Sequence, residues 1–301
     1  KAKQSKDTGL LQYVTTTLNK MAYGGIYDHI GGGFSRYSVD KKWHVPHFEK
    51  MLYDNAQMVS LYSNAYLATK DNLYKEVVTQ TLAFVARECT NSEGAFYSSF
   101  DADSLTKDGV LEEGAYYVFT KEELTKELGE DVELFSTYYN INSFGLWENN
   151  HYVLIRSKSD PVVCAAFGIT NQELQNKKEA WRKALLSYRN KRDKPRLDDK
   201  ILTSWNGLML KGYVDAYKAF QEPAYLQAAL KNAHFIKSKQ WQTSGALFHS
   251  HKDGKSTING YLEDYAAVID AYIGLYEITL DDQWLLIANE LTSYTYGHFF
   301  D

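Results

Sequence analysis

The sequence has 301 residues, with 33 basic against 38 acidic side chains and a net charge of −5. That length buries a sizeable core as one large domain or two ordinary ones, and the acidic balance leaves no broad cationic surface for nucleic acid or anionic lipid. Cys89 and Cys164 are too few for a disulfide framework. No apolar run reaches the length of a membrane span, and the amino-terminal KAKQSKDTG lacks an apolar signal core, so a cytoplasmic protein with both thiols reduced is expected.

Tyrosine (24) and tryptophan (6) are plentiful and proline (4) is scarce. This suits a helical protein with aromatic-lined clefts, of the kind in which ring faces stack on sugars; aromatic core packing is the alternative for any single tyrosine.

The first distinctive stretch is GGIYDHIGGGFSRYSVDKKWHVPHFEKMLYDNA, from Gly24 to Ala56, between two helix-like segments. Pro46 suits a first helical turn, which predicts a helix running from there with His47, Lys50 and Asp54 on one face at steps of three and four. Next, MVSLYSNAYLATKDNLYKEVVTQTLAFVARECTNSEGAFYSS reads as two helices separated by a polar turn. The first is apolar nearly all round, as expected of a helix covered on every side. The second has one apolar stripe, Tyr74, Val78, Leu82, Val85 and Cys89, and belongs on the outside.

Between Ala95 and Leu197 come a short strand in GAYYVFT, a helix capped by Thr120 with Glu122 and Glu123 in its first turn, another strand in HYVLIRS, and a charged helix from about Asn171 to Arg192. No linker flanks this segment, so residues 95–197 read as an elaborated hairpin within one domain spanning 1–301. Asp198 and Asp199 are expected to cap the helix that starts near Thr203.

The hairpin then repeats. LMLKGYVDAYKAFQEPAYLQAALKNAHFIKSKQWQTSGALFHS aligns with the first copy, and AAVIDAYIGLYEITLDDQWLLIANELTSYTYGHFFD begins a third. Tyr74, Tyr225 and Trp284 open the second helix of each copy, and Gly94 and Gly245 mark glycine loops in the first two. Alternating inner and outer helices predict an all-α fold, an (α/α) toroid of hairpins with short strands in its loops. The third copy stops before its glycine loop, so the ring reads as incomplete.

Several motifs carry a family resemblance: GGIYDHIGGGFSRYSVDKKWHVPHFEKMLYDNAQ, SSFDADS with EEGAYYVFTKEEL, DDKILTSWNGLM, and LEDYAAVIDAYIGLYEIT. In these the chain resembles the helical part of the thioredoxin-domain-containing YyaL family, whose animal relatives are the spermatogenesis-associated proteins. The resemblance implies an (α/α)6 toroid of the six-hairpin glycosidase type, similar to the N-acylglucosamine 2-epimerase group. It also implies a thioredoxin-like partner domain that this chain lacks, since no CxxC occurs. The stretch NSFGLWENNHYVLI departs from the glycine-asparagine turn more usual in the family, and nothing is carried over for Trp147 to Asn150. Carbohydrate chemistry is implied through the fold alone, and a fold hosts many chemistries.

The loops and inner-helix N-termini of such a toroid gather at one end, where glycines let backbone approach a ligand. His47 is a candidate proton shuttle, with Lys50 and Asp54 to orient it or polarise a substrate oxygen; a buried polar network is the alternative. His44 reaches either the cavity or a loop-packing position, and His29 reads as loop scaffolding. His249 and His251 flank Ser250, and alternation along an extended loop is taken to leave only one of them facing the mouth. Asp101 and Asp103, with Glu112 or Glu113, are candidates for a glycosidase carboxylate pair. DADS lacks the ligand count of a calcium loop, and neither metal nor cofactor is implied. Trp205 and Asn206, the corresponding Asp264 and Tyr265 of the next repeat, and Arg36 and Tyr37 are substrate-binding candidates for a small sugar or sugar-derived ligand.

Three readings follow: a sugar isomerase or epimerase pairing His47 with His249 or His251, a glycosidase using Asp101 or Asp103, and a non-catalytic module that presents a ligand or protein segment to a thioredoxin-like domain.

Overall fold

In the computed structural model, which describes residues 7–300, the chain divides into two compact units. One comprises the described residues up to Lys50 with Asp101–Arg196, and the other Met51–Phe100 with the described residues from Leu197 onward. Helix α1 (Thr8–Tyr23) and strands β1 (Tyr37–Ser38), β2 (Pro46–His47) and β3 (Lys50–Met51) precede the first hairpin, α2 (Leu52–Thr69) with α3 (Asn72–Phe84). Then come β4 (Ser99–Phe100), β5 (Asp103–Leu105), β6 (Leu111–Glu113), β7 (Phe119–Thr120), α4 (Lys121–Leu128), α5 (Val132–Tyr138), β8 (His151–Tyr152), α6 (Asp160–Phe167) and α7 (Asn171–Arg189). Strands β9 (Leu197–Asp198) and β10 (Ile201–Leu202) lead to the second hairpin, α8 (Thr203–Phe220) with α9 (Pro223–Phe235). Strands β11 (Phe248–Lys252) and β12 (Lys255–Asn259) lead to the third, α10 (Leu262–Thr279) with α11 (Asp282–Phe299).

The hairpin unit shows the repeat atom by atom. Each inner helix ends on a non-glycine residue in the left-handed region, Lys70, Gln221 or Leu280, whose N–H returns to the carbonyl of Tyr66, Tyr217 or Tyr276. This C-cap satisfies an orphan carbonyl and turns the chain into the outer helix. Outer helices α3 and α9 each run into a π turn, Val85–Cys89 or Ile236–Gln240. A single bridge follows, Thr90↔Phe96 or Trp241↔Leu247, with Gly94 and Gly245 at φ +90° and +88°, which an L side chain rarely adopts.

The stripe expected on α3 is buried along its length, from Tyr74 to Cys89. Each such side chain contributes about 1.5–3 kcal/mol by leaving water. Of the inner helices, α8 packs against α2 on one side and α10 on the other. Among the described residues it alone has neighbours of its own kind on both flanks; Leu61 of α2 and Ile273 of α10 are exposed, so all-round apolarity overstated their cover.

The other unit has its own core, in which Phe119, Phe135, Tyr138, Leu174, Trp181 and Leu185 from β7 and α4 to α7 pack together. Helices α4 and α7 begin at capping boxes, Thr120 with Glu123 and Thr170 with Glu173. Each satisfies two orphan donors reciprocally. At the departure noted above, Asn149 and Asn150 take φ of 50° and 58°; asparagine tolerates the left-handed region better than most residues.

Two local expectations are corrected. No helix starts at Pro46. Residues Pro46–His47 pair with Tyr37–Ser38, the Phe48 N–H goes to Glu113, and Glu49 accepts from the Arg36 N–H. With its backbone committed to partners outside the segment, the chain stays extended until Leu52, so His47, Lys50 and Asp54 do not share a helix face. Nor do Asp198 and Asp199 cap α8: Asp198 lies in β9, and Asp199 pairs with Lys252 at 2.6 Å. The N-cap of α8 is Leu202, without a side-chain bond. A distant carboxylate, Asp264, takes the Ser204 N–H at 2.8 Å.

Candidate functional site

In the hairpin unit the N-termini of the inner helices sit side by side. The Tyr53 ring of α2 meets Trp205 of α8 edge to face at 4.8 Å, and the Asp264 bond ties α8 to α10. Strand β11 is fixed against the same end, since Thr203 donates its hydroxyl to the Phe248 carbonyl at 2.5 Å.

Asp264 is the centre of this arrangement. It is fully buried. Its Oδ1 accepts the Ser204 N–H, and its Oδ2 accepts the Tyr261 N–H at 2.8 Å and His249 Nδ1–H at 2.9 Å. One carboxylate therefore serves the first turns of two helices and orients an imidazole. The bond assigns the proton of His249 to Nδ1 and leaves Nε2 as the basic nitrogen. No hydrogen bond engages Nε2 among the described residues. The Tyr261 ring lies 4.7 Å from the imidazole and is itself exposed.

Positions two apart on a strand share a face, so alternation does not separate His249 from His251; depth does. His251 is buried against Phe235 and bonded to Ser256 at 2.9 Å. Burial, with Lys239 nearby, pushes its imidazole below the ordinary value. His249 keeps 17% side-chain exposure, which makes it the accessible one.

Other candidates in this unit serve the framework. Asn206, in the first turn of α8 and fully buried, accepts the Phe96 N–H at 2.8 Å, donates to the Phe96 and Leu202 carbonyls at 2.9 Å, and accepts from Asn232 at 3.0 Å. Tyr265 accepts the Leu247 N–H at 2.9 Å through its buried phenol, whose pKa burial pushes up to about 12. Asp54 lies in the first turn of α2.

The other unit holds a second histidine–carboxylate arrangement. His47 Nδ1 is 2.8 Å from Glu113, with Glu49 at 3.6 Å from Nε2, and Tyr37 stacks on the imidazole at 5.1 Å. Arg36 pairs with Glu49 at 3.3 Å. This cluster is more open than the Asp264 centre, with side-chain exposures of 28% and 43% for His47 and Glu113. Asp103 faces Glu113 across the β5–β6 ladder, while Asp101 pairs with Arg196 at 3.0 Å. His44 is buried against the Gly145 carbonyl at 3.1 Å, and burial lowers its pKa.

Lys50 is buried in an ion cluster. Its Nζ donates to Asp28 and to the Gly32 carbonyl, each at 2.8 Å, and Arg189 grips the same carboxylate through both terminal nitrogens at 3.0 and 2.9 Å. Although burial opposes ionisation, the two cations hold the Asp28 carboxyl well below the usual range. His29 beside it is buried and bonded to the Gly24 carbonyl at 3.2 Å, in line with a scaffolding role. Tyr261 and Glu49 were not singled out from the sequence. Tyr261 had a readable signal, standing three residues before the acidic Asp264 at a helix start; Glu49 had none, because only the β1–β2 pairing brings it beside Arg36 and His47.

No family model matches the chain. Among solved structures, it is similar to cellobiose 2-epimerase from Spirochaeta thermophila (TM-score 0.54, 11% identity, 97% of this chain and 55% of that one). It is also similar to UGL with dGlcA-Glc-Rha-Glc (TM-score 0.50, 9% identity, 96% of this chain and 56% of that one). The fold is thus an α/α toroid of helical hairpins, mostly helical with short strands in its loops.

The chain is also 36% identical over 303 residues to spermatogenesis-associated protein 20 of Homo sapiens, covering 91% of this chain and 38% of that protein. In sequence it is a relative of part of spermatogenesis-associated protein 20, of which it spans well under half the length. No helix among the described residues is long and apolar enough to cross a membrane, and no group of three or more His, Cys, Asp or Glu among them could hold a metal ion.

Proposed function

We propose that the chain carries proton-transfer chemistry on a sugar, as an epimerase or isomerase, with His249 as the base and Asp264 as the residue that orients it. The observation that carries this reading is the Nδ1–H of His249 given to a fully buried carboxylate while Nε2 is left without a partner among the described residues. A hydrogen on carbon beside a sugar carbonyl is acidic enough for imidazole to remove when the resulting enediolate is stabilised. Returning the proton to the opposite face inverts that carbon; returning it to the neighbouring carbon interconverts aldose and ketose. The exposed Tyr261 ring beside the imidazole offers an apolar face on which a pyranose stacks. His47, bonded to Glu113 in the other unit, is a separate candidate acid–base group.

The test is exchange of carbon-bound hydrogen in a panel of aldoses and ketoses in D2O, followed by NMR. Replacing His249 with alanine is expected to slow exchange about 10²- to 10⁴-fold. Equal exchange in the parent and His249→Ala proteins would refute the reading.

The β5–β6 register favours one alternative, hydrolysis of a glycosidic bond by Asp103 and Glu113, which face each other across that ladder. Release of reducing sugar, abolished by Asp103→Asn and untouched by His249→Ala, would distinguish it. In the longer relatives we place this region beside a thioredoxin-like domain, on the motif resemblance alone.

A further inference from the structure

The β11–β12 hairpin holds a backbone conformation that strand pairing does not call for. Ile258 lies at φ +64°, and among the described residues it is the one β-branched side chain in the left-handed region. Branching at Cβ makes that region costly, and a strained backbone persists only where its surroundings over-determine it. Neither common cause applies. A bulge would give the two strands unequal counts, but the pairs Phe248↔Asn259 and Ser250↔Thr257 leave one residue between them on each strand. Core packing does not hold the side chain, which is 55% exposed. The residue that this count sets opposite Ile258 is His249.

Hydrogen bonds fix the chain on both sides of the strain. Before it, Ser250 Oγ donates to the Thr257 carbonyl at 3.3 Å, and Ser256 Oγ donates to the Lys239 carbonyl at 2.6 Å. After it, the Gly260 N–H reaches the Leu247 carbonyl at 2.7 Å, and the Tyr261 N–H reaches Asp264 at 2.8 Å. A Cβ on Gly260 would lie 3.0 Å from the Leu247 carbonyl, so the backbone is closely approached there. Ile258 is held between these two anchorages.

Regular strand geometry shows what the turn accomplishes. If β12 ran on extended past Ile258, residue 261 would project from the face opposite to His249, about 10 Å further along. The Tyr261 ring instead lies 4.7 Å from the imidazole. Between Thr257 and Tyr261, Ile258 is the position with positive φ. An extended Ile258 would itself stand about 5 Å from His249 across the ladder, competing with the ring for that face.

We infer that Ile258 is a positioning residue of the His249 site: its left-handed backbone breaks the alternation of β12 and delivers the Tyr261 ring to the imidazole. This deepens the proton-transfer reading and rests on it for one point, that a sugar stacks on Tyr261.

The experiment records NOEs between the Tyr261 ring and the His249 imidazole in the parent protein and in two variants. Proline holds φ near about −65° and cannot take the turn, whereas asparagine tolerates the left-handed region. Ile258→Pro is expected to lose these NOEs. Ile258→Asn is expected to keep them and to raise the melting midpoint by about 1–4 °C as strain is relieved. NOEs kept in Ile258→Pro, NOEs lost in Ile258→Asn, or a midpoint of Ile258→Asn no higher than the parent's would each overturn the inference. Should Ile258→Pro fail to fold, the two Ile258→Asn measurements decide. Because an NOE needs no turnover, a parent protein that exchanges no sugar hydrogen would refute the proton-transfer reading and leave the positioning role of Ile258 standing.

Discussion

Replacing Asp264 with asparagine removes little volume and tests the centre of the site directly. The carboxylate receives an N–H on Oδ1 and two on Oδ2, all within 2.9 Å. An asparagine has one acceptor oxygen, so whichever way it turns, its NH2 meets a donor. If the amide nitrogen faces Tyr261 and His249, the Tyr261 N–H loses its acceptor and the imidazole must present a lone pair at Nδ1, moving its proton to Nε2. If it faces Ser204, the first turn of α8 loses its carboxylate acceptor. A charge-assisted hydrogen bond of this kind is worth about 1.5–3 kcal/mol and a stranded buried N–H costs about 1–3 kcal/mol, so a loss of about 2–4 kcal/mol is expected. With an unfolding entropy near 2 cal/mol/K per residue, this lowers the melting temperature by about 3–6 °C in a single transition. The assay pairs thermal unfolding with ¹⁵N NMR of the histidines. The parent protein should show His249 protonated at Nδ1, and the variant should show a lower midpoint with either an inverted tautomer or an unprotected Ser204 amide. An unchanged midpoint and an unchanged imidazole spectrum would refute the structural role given to Asp264, and with it the orientation of His249.

Three further outcomes are expected. Asn206→Ala empties a buried clamp that holds Phe96, Leu202 and Asn232; it should cost about 3–5 kcal/mol, seen as a lower urea midpoint, and a change below 1 kcal/mol would contradict its role. Asp28→Asn leaves Arg189 and Lys50 buried without their carboxylate, where side-chain exposures are 3% and 1%; a loss of about 3–5 kcal/mol is expected, measured by the same melt. Burial holds His29 down at about 3 against an ordinary 6.5, so between those values only the unfolded chain takes up its proton. Its contribution is complete above about pH 6.5 and falls as the pH drops, by at most about 1.4 kcal/mol per unit. Since Asp28 acts only below 3.8, and His44 and His251 share the direction of His29, the variant His29→Gln should reduce the slope between pH 4 and 6.5 without abolishing it. An identical slope would exclude His29 as a contributor.

The hairpins were legible because their signals are local. The stripe from Tyr74 to Cys89 recurs at helical spacing, Thr120 and Glu123 stand at the separation a capping box needs, and the polar turns with their glycine loops repeat in register. The failures share one cause. Pro46 is a good first-turn residue, yet Phe48 and Arg36 draw the following backbone into bonds with Glu113 and Glu49, so the helix waits until Leu52. Asp198 and Asp199 stand where a cap would stand, yet the cap comes from Asp264, 60 positions from Ser204.

By itself the sequence determined the helices, their pairing into three copies of a hairpin, and the residue types available at their ends, because periodicity and capping act over a few residues. Only the tertiary structure decided which polar groups hold the framework and which remain open. Asn206 and Lys50 became buried clamps, His251 sank beneath Phe235, and His249 kept one nitrogen unengaged among the described residues. Those outcomes depend on partners far apart in the chain, and a buried hydrogen bond is set by where its partner arrives in space.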